Sequence, residues 1–205
     1  MSKAFKIDFK EDQIQKDSTK FGGQPKWYSK PEWPISKSTG NPMRFICQIR
    51  LNDINLNGLN AKYAYLFMTD EEDYVDDTWK PDGGENAIIL QPGNNDIRTE
   101  EILNGPTTYK MIKEEGNPRL VQKEIELGVH LTQFDEKDED EIVNKMTGDP
   151  DFIQGKEYPF GDDNWKLLIQ INSGNVPFSL NFGDYGVGYG FINNDGNKAK
   201  FLWQG

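Results

Sequence analysis

One ordered set of features occurs twice in this chain, and the duplication limits the possible folds more than any composition does. The first copy reads Lys20-Phe21-Gly22-Gly23-Gln24-Pro25-Lys26-Trp27, then Phe45-Ile46-Cys47-Gln48-Ile49, Ala64-Tyr65-Leu66-Phe67-Met68 and Ala87-Ile88-Ile89-Leu90-Gln91. The second reads Lys145-Met146-Thr147-Gly148-Asp149-Pro150-Asp151-Phe152, then Leu167-Leu168-Ile169-Gln170-Ile171, Val187-Gly188-Tyr189-Gly190-Phe191-Ile192 and Lys200-Phe201-Leu202-Trp203-Gln204. Gly23 precedes Gln48 by 25 positions and Gly148 precedes Gln170 by 22; from glutamine to Phe67 or Phe191 the step is 19 or 21. Each copy offers three or four strands, too few to enclose a core alone. Two copies packed by their apolar faces about a pseudo-twofold axis would share one, and their seam is a natural place for a cleft.

The expectation is therefore a single domain over residues 1–205, with one repeat at about 20–93, a connecting segment at 94–144 and a second repeat at about 145–205. The expected fold class is α+β, strand-rich, with two pseudo-symmetric repeats forming one compact body and a short helix in the linker. That helix is placed at Asp135 to Lys145, where Ile142, Val143 and Met146 make a one-sided stripe. Arg119 to Leu131 reads equally as helix or strand. Phe5, Ile7 and Phe9 alternate, as in an edge strand or a short docking arm. Gly188 and Gly190 fall on one face of a strand, where something can pack closely.

Charge and cysteine usage narrow the function classes. The chain of 205 residues carries 23 basic and 34 acidic side chains, a net charge of −11. Binding a phosphate backbone relies on clustered Lys and Arg, so a nucleic-acid partner is not expected, nor an anionic membrane surface. A basic protein partner is compatible with this charge, and so is plain solubility. Cys47 is the only cysteine, lies in an apolar run and reads as a small buried hydrophobe. No signal-like apolar region opens the chain and no apolar run is long enough to span a bilayer, so the expected location is cytoplasmic.

Catalytic signatures are scarce. His130, the one histidine, has no adjacent nucleophile signature. The Cys and His ligands of a zinc site are lacking, and no glycine-rich phosphate loop is present. Asp70-Glu71-Glu72-Asp73, Asp76-Asp77 and Asp135 to Glu141 are rich in carboxylates but lack the regular spacing of a calcium loop, and a solvated acidic face is the simpler reading. No cofactor, metal or catalytic residue is assigned. The candidate ligand- or partner-binding residues are Gly22, Gly23, Trp27, Trp33, Gln48, Gln170, Asp184 and Trp203. The glycines permit unusual backbone angles, and loop aromatics either cover a core edge or line a binding surface. The glutamines lie in apolar strands, where an amide must tie a neighbouring loop's backbone or point at a ligand. Asp184 sits in a turn, where it bonds its own backbone or a ligand.

Several of these segments together resemble the YwqG-like family, a bacterial domain of unknown function. They are Phe21-Gly22-Gly23 with Pro25 and Trp33-Pro34, Phe45-Ile46-Cys47-Gln48-Ile49, Gly148-Asp149-Pro150 with Phe152-Ile153-Gln154, Trp165 to Ile171, Gly183-Asp184 with Gly186-Val187, and the closing Trp203-Gln204. The resemblance runs from about Lys20 to Gly205 and implies a compact α+β protein without an established activity. Members often lie near genes of secreted toxins, which implies an immunity or adaptor role. Thr147 stands where the family usually has its first glycine, and Asn172-Ser173-Gly174 replaces a more acidic turn. The expected function is thus a protein-binding module such as an immunity-type inhibitor or adaptor with a toxin-like or basic partner. The alternatives are a small-ligand binding protein or unrecognised hydrolase using a cleft between the repeats, and a purely structural role.

Overall fold

The computed structural model describes residues 3–12, 14, 17–56, 58–71, 75–93, 95–138, 141–159 and 165–205. Glu72, Asp73, Glu139 and Asp140, which belong to stretches discussed above, lie outside them. The strands of the first half are β1 (Ala4–Lys10), β2 (Lys20–Gly22), β3 (Trp33–Pro34), β4 (Arg44–Arg50), β5 (Tyr63–Met68) and β6 (Asn86–Gln91). The middle supplies β7 (Thr99–Glu100), β8 (Tyr109–Lys113), β9 (Leu120–Glu124) and β10 (Glu126–Phe134). The last third supplies β11 (Lys145–Met146), β12 (Trp165–Asn172), β13 (Val187–Asn193) and β14 (Ala199–Gln204).

Ten of these form one sheet in the order β14-β13-β12-β11-β1-β10-β2-β4-β5-β6, with every neighbouring pair antiparallel. The order is a palindrome: β11 to β14 on one side correspond to β2, β4, β5 and β6 on the other. At its centre β1 pairs with β10 along the whole of β1, from Ala4↔Phe134 to Lys10↔Gly128, with Ile7 opposite Leu131. The leading strand of each half is exchanged. β1 precedes β2 in sequence but pairs with β11, and β10 precedes β11 but pairs with β2. Neither an edge strand nor an arm, β1 is the middle of the sheet, and part of the connecting segment, β10, is its counterpart.

Both faces of the outer strands are covered, which is why they read as continuous apolar runs. Ala64, Leu66, Ile88, Leu90, Ile169, Ile192 and Phe201 point into the main core, inside the curled sheet. Tyr65, Phe67 and Ile89 face outward into a second cluster under Trp33; Tyr189, Phe191 and Leu202 do the same in the other half, with Phe152 and Tyr158 packed against them. The sheet curls until β6 and β14 pack against each other, making a nearly closed barrel. Gly190 of β13 lets Ile169 and Ile88 pack close to the strand: a Cβ there would sit 2.7 Å from Ile169 Cγ2 and 2.9 Å from Ile88 Cδ1. Buried side chains fill the interior, so it is a core and not a ligand channel.

The expected α+β class with a linker helix is overturned. The protein is nearly all β, 42% strand and 5% helical, and its helical residues are single 3₁₀ turns such as Leu51–Ile54, Glu136–Asp138 and Ser173–Asn175. A helix through Lys145 would have removed β11 from between β1 and β12. A short amphipathic stripe supplies too little to compete with that pairing, because helices of this length depend on tertiary packing. The described part of the segment instead turns so that the Glu136 carboxylate meets Lys145 Nζ at 2.5 Å and accepts from the Asp149 N–H at 3.1 Å.

Cys47 lies in the core with no solvent exposure, and burial pushes its thiol well above the ordinary range. The thiolate is the reactive form. A disulfide exchange reagent is therefore expected to leave the native protein unmodified at mildly alkaline pH and to titrate the thiol once guanidinium unfolds the chain. Labelling of the native protein at the rate of a free thiol would contradict this burial.

Candidate functional site

The candidate residues separate into two groups by position, and the duplication explains the larger group. Outward-facing strand residues lie under loops without regular structure, so those loops' N–H and C=O groups need side-chain partners. Gln48 Nε2 donates to Ser18 O at 2.8 Å and its Oε1 accepts from Lys26 N at 2.9 Å. Gln170 Nε2 donates to Val143 O at 3.0 Å and its Oε1 accepts from Asp151 N at 2.8 Å. The partners sit at the same offsets from Lys20 and Lys145. Gln91 and Gln204 repeat the device one step along each loop: Gln91 accepts from Tyr28 N and Ser29 N and donates to Lys30 O, while Gln204 accepts from Ile153 N and Gln154 N and donates to Gly155 O. Tyr65 OH donates to Lys26 O and Tyr189 OH to Asp151 O, and burial raises both phenols.

Trp27 stacks on Phe67 at 6.1 Å between centroids and meets Trp33 edge-on, as Phe152 stacks on Phe191 at 6.4 Å and meets Tyr158. Trp33 is fully buried and donates its indole N–H to Met43 O. Gly22 has φ +66°, and a Cβ there would lie 2.2 Å from Ile125 O. Thr147 takes the same left-handed conformation at φ 59°, with its hydroxyl bonded to Lys3 O. Gly23 donates its N–H to Ile125 O at 2.7 Å. Trp203 stacks on Phe182, Asp184 is exposed on its turn, and His130 is exposed opposite Asp8. Trp27, Trp33, Asp184 and Trp203 therefore do not converge on one cleft.

A cleft does exist between the halves, built from other residues. Arg44, Ile46, Met68 and Asp70 from the first half, Thr108 and Tyr109 from the middle, and Ser179 with its neighbours Leu180 and Asn181 from the second half enclose about 230 Å³. Its construction starts at a β-bulge at Phe45/Cys47. Phe45 stays opposite Phe67 of β5 and bonds segment 106–108 on its other side: its N–H donates to Pro106 O, and its C=O accepts from the N–H and hydroxyl of Thr108. Tyr109 O then accepts from Ser179 N at 2.8 Å, pinning the second half's loop over the opening.

Arg44 is mostly buried, held by Asp70 Oδ2 2.6 Å from its Nε, by Thr107 O accepting from Nη1 at 2.6 Å, and by the Tyr109 ring 4.5 Å below its guanidinium. The Tyr109 phenol is raised, first by burial and then by the Asp70 charge, which outweighs the opposing Arg44. Among the described residues the site has no twin. At the equivalent positions stand Lys166, paired with Ile192 as Arg44 is with Met68, and Asn194, both exposed. Sequence reading weighed Asp70 only as part of an acidic stretch and passed over Arg44 and Tyr109 as site residues. The available signal was opposite charges at the ends of consecutive strands, Arg44 opening one and Asp70 following the next. A smaller cavity of about 100 Å³ marks the gap between β6 and β14, bridged by Lys200 and Asp82 at 2.5 Å; it has room for about three waters. Among the described residues no three His, Cys, Asp or Glu side chains gather as a metal site.

Replacing Gln48 or Gln170 by Leu removes two part-buried hydrogen bonds to loop backbone in each case, an expected loss of about 2 kcal/mol. Urea denaturation is expected to give losses equal within about 1 kcal/mol for the two variants. A loss confined to one of them would show that the halves are not held alike.

No curated protein matches the chain. A family model described as a domain of unknown function (DUF1963) matches residues 19–201, a span that includes Gln48, Gln91 and Gln170 and the whole Arg44 cleft. The chain belongs to this family of uncharacterised domains.

Proposed function

We propose that the protein binds a small molecule in the cleft of Arg44, Asp70 and Tyr109. The observation that supports this most is the coincidence of asymmetry and chemistry. Features repeated in both halves hold loops and close the core, whereas a half-buried ion pair beside apolar Ile46, Met68 and Leu180 occurs where the halves differ. A cavity of about 230 Å³ is slightly below the usual range for drug-sized ligands and suits a single-ring compound. Arg44 and Asp70 each have their positions fixed before any ligand arrives, which lowers the ordering cost of binding.

A second reading, a module that binds a basic protein such as a toxin, is supported by the net charge of −11 and by Met111 and Leu120, which are exposed on the β8–β9 hairpin. Resemblance of the Gly22-Gly23 and Gly148-Asp149-Pro150 segments to the YwqG-like family supports a bacterial source for either reading. The lone free cysteine suits the reducing cytoplasm.

An NMR screen of single-ring compounds against the ¹⁵N-labelled protein separates the two. Binders are expected to perturb the amides of Arg44, Asp70, Tyr109 and Ser179, and Leu180→Trp, which fills the cavity, is expected to abolish those perturbations without unfolding the protein. Perturbations elsewhere, or none, together with capture of a basic partner through the β8–β9 hairpin, would favour the second reading and count against the first.

A further inference from the structure

The ion pair in the cleft selects among ligand chemistries. Asp70 offsets the charge of Arg44, so the site presents no net positive charge to an anion. An incoming carboxylate would approach Asp70 as closely as Arg44. The hydrogen-bond inventory is more specific. Arg44 donates from Nη1 to Thr107 O, while its buried Nε, 2.6 Å from Asp70 Oδ2, is not aligned for a hydrogen bond and has no hydrogen-bond partner among the described residues. A guanidinium has five N–H donors and a carboxylate about four acceptor positions, so Arg44 and Asp70 each keep capacity after meeting the other, and Asp70 does so beside the Tyr109 phenol as well. A donor and an acceptor therefore stand next to each other at the polar end of a cavity whose remaining wall includes Ile46, Met68 and Leu180.

Such an edge is complementary to a group that offers C=O and N–H side by side. The C=O takes the guanidinium N–H, the N–H gives to the carboxylate, and neither charge is left unpaired. A carboxylate fills only the first half of this pattern, and an apolar ring fills neither. A buried polar group left without its partner discriminates strongly against the analogue that lacks it. Resting on the reading of this cleft as a ligand site, we infer that its occupant is a small ring with a neutral amide edge, of the lactam, imide or nucleobase type. Ser179 and Asn181 at the mouth add further polar groups for substituents on that ring.

Three probes of similar size test the inference by ¹⁵N NMR titration: 2-pyridone with the full edge, benzoate with a carboxylate, and toluene with neither. In the wild-type protein 2-pyridone is expected to bind more tightly than benzoate and toluene, by on the order of tenfold. Asp70→Asn is close in shape, removes the negative charge and leaves Arg44 uncompensated. It is expected to reverse the order, so that benzoate binds more tightly than 2-pyridone. Benzoate preferred by the wild type, or toluene binding as tightly as 2-pyridone, would overturn the amide edge while leaving the cleft a ligand site. Failure of all three probes to perturb Arg44, Tyr109 or Ser179 would overturn the ligand site itself. If Asp70→Asn does not fold, the wild-type preference alone decides between these outcomes.

Discussion

The fold depends on one antiparallel pair, β1 with β10. Each half supplies four strands that can curl on their own side of the sheet, and each is completed by the other half's leading strand. Ile7 opposite Leu131 is the midpoint, and the flanking residues Phe5, Phe9, Leu127 and Val129 continue into the main core. Because the exchange is reciprocal, neither half has a finished sheet without the other. The barrel then closes at the far side, where β6 meets β14, and buries the main core inside.

A barrel covered on its outer face creates a second requirement, to bury loops without stranding their backbone groups. Two glutamines and a tyrosine per half meet it with matching geometry, Gln48, Gln91 and Tyr65 on one side and Gln170, Gln204 and Tyr189 on the other. This matching has a functional corollary. A residue that does the same work in both halves has a structural explanation already. Among the described residues the Arg44 cleft lacks a twin because segment 106–109 and the loop at Ser179 cover the bulge of β4, and at the equivalent end of β12 Lys166 reaches solvent. The duplicated halves thus serve as scaffold, and the departure from symmetry is where a ligand can be told from a copy of the fold.

Strand content, the equivalence of Gln48 with Gln170 and the turn glycines were all legible in the sequence, because each rests on local pattern and spacing. Three things were not. The stripe of Ile142, Val143 and Met146 fits a helix locally, yet Met146 is needed opposite Phe5 in the sheet. Leu120 to Leu131 contains two strands separated at Ile125, whose backbone serves Gly23 and Thr108, and no periodicity reveals such a break. Arg44 and Asp70 looked like ordinary strand-end charges; only the pairing of β4 with β5 and the arrival of Tyr109 from the middle of the chain enclose them. Conversely, Trp27 and Trp33 drew attention as loop aromatics, but aromatic surface of that size is what an outer covering layer requires.

Amide hydrogen exchange along β1 and β10 tests the account at its centre. If the reciprocal exchange of leading strands makes one cooperative unit, the amides of β1 and β10 that face each other across the pair are expected to exchange only on global unfolding, with protection matching that of Ile49 in β4 and Ile171 in β12. Exchange of β1 well ahead of β4 and β12, in the manner of a detachable arm, would contradict it.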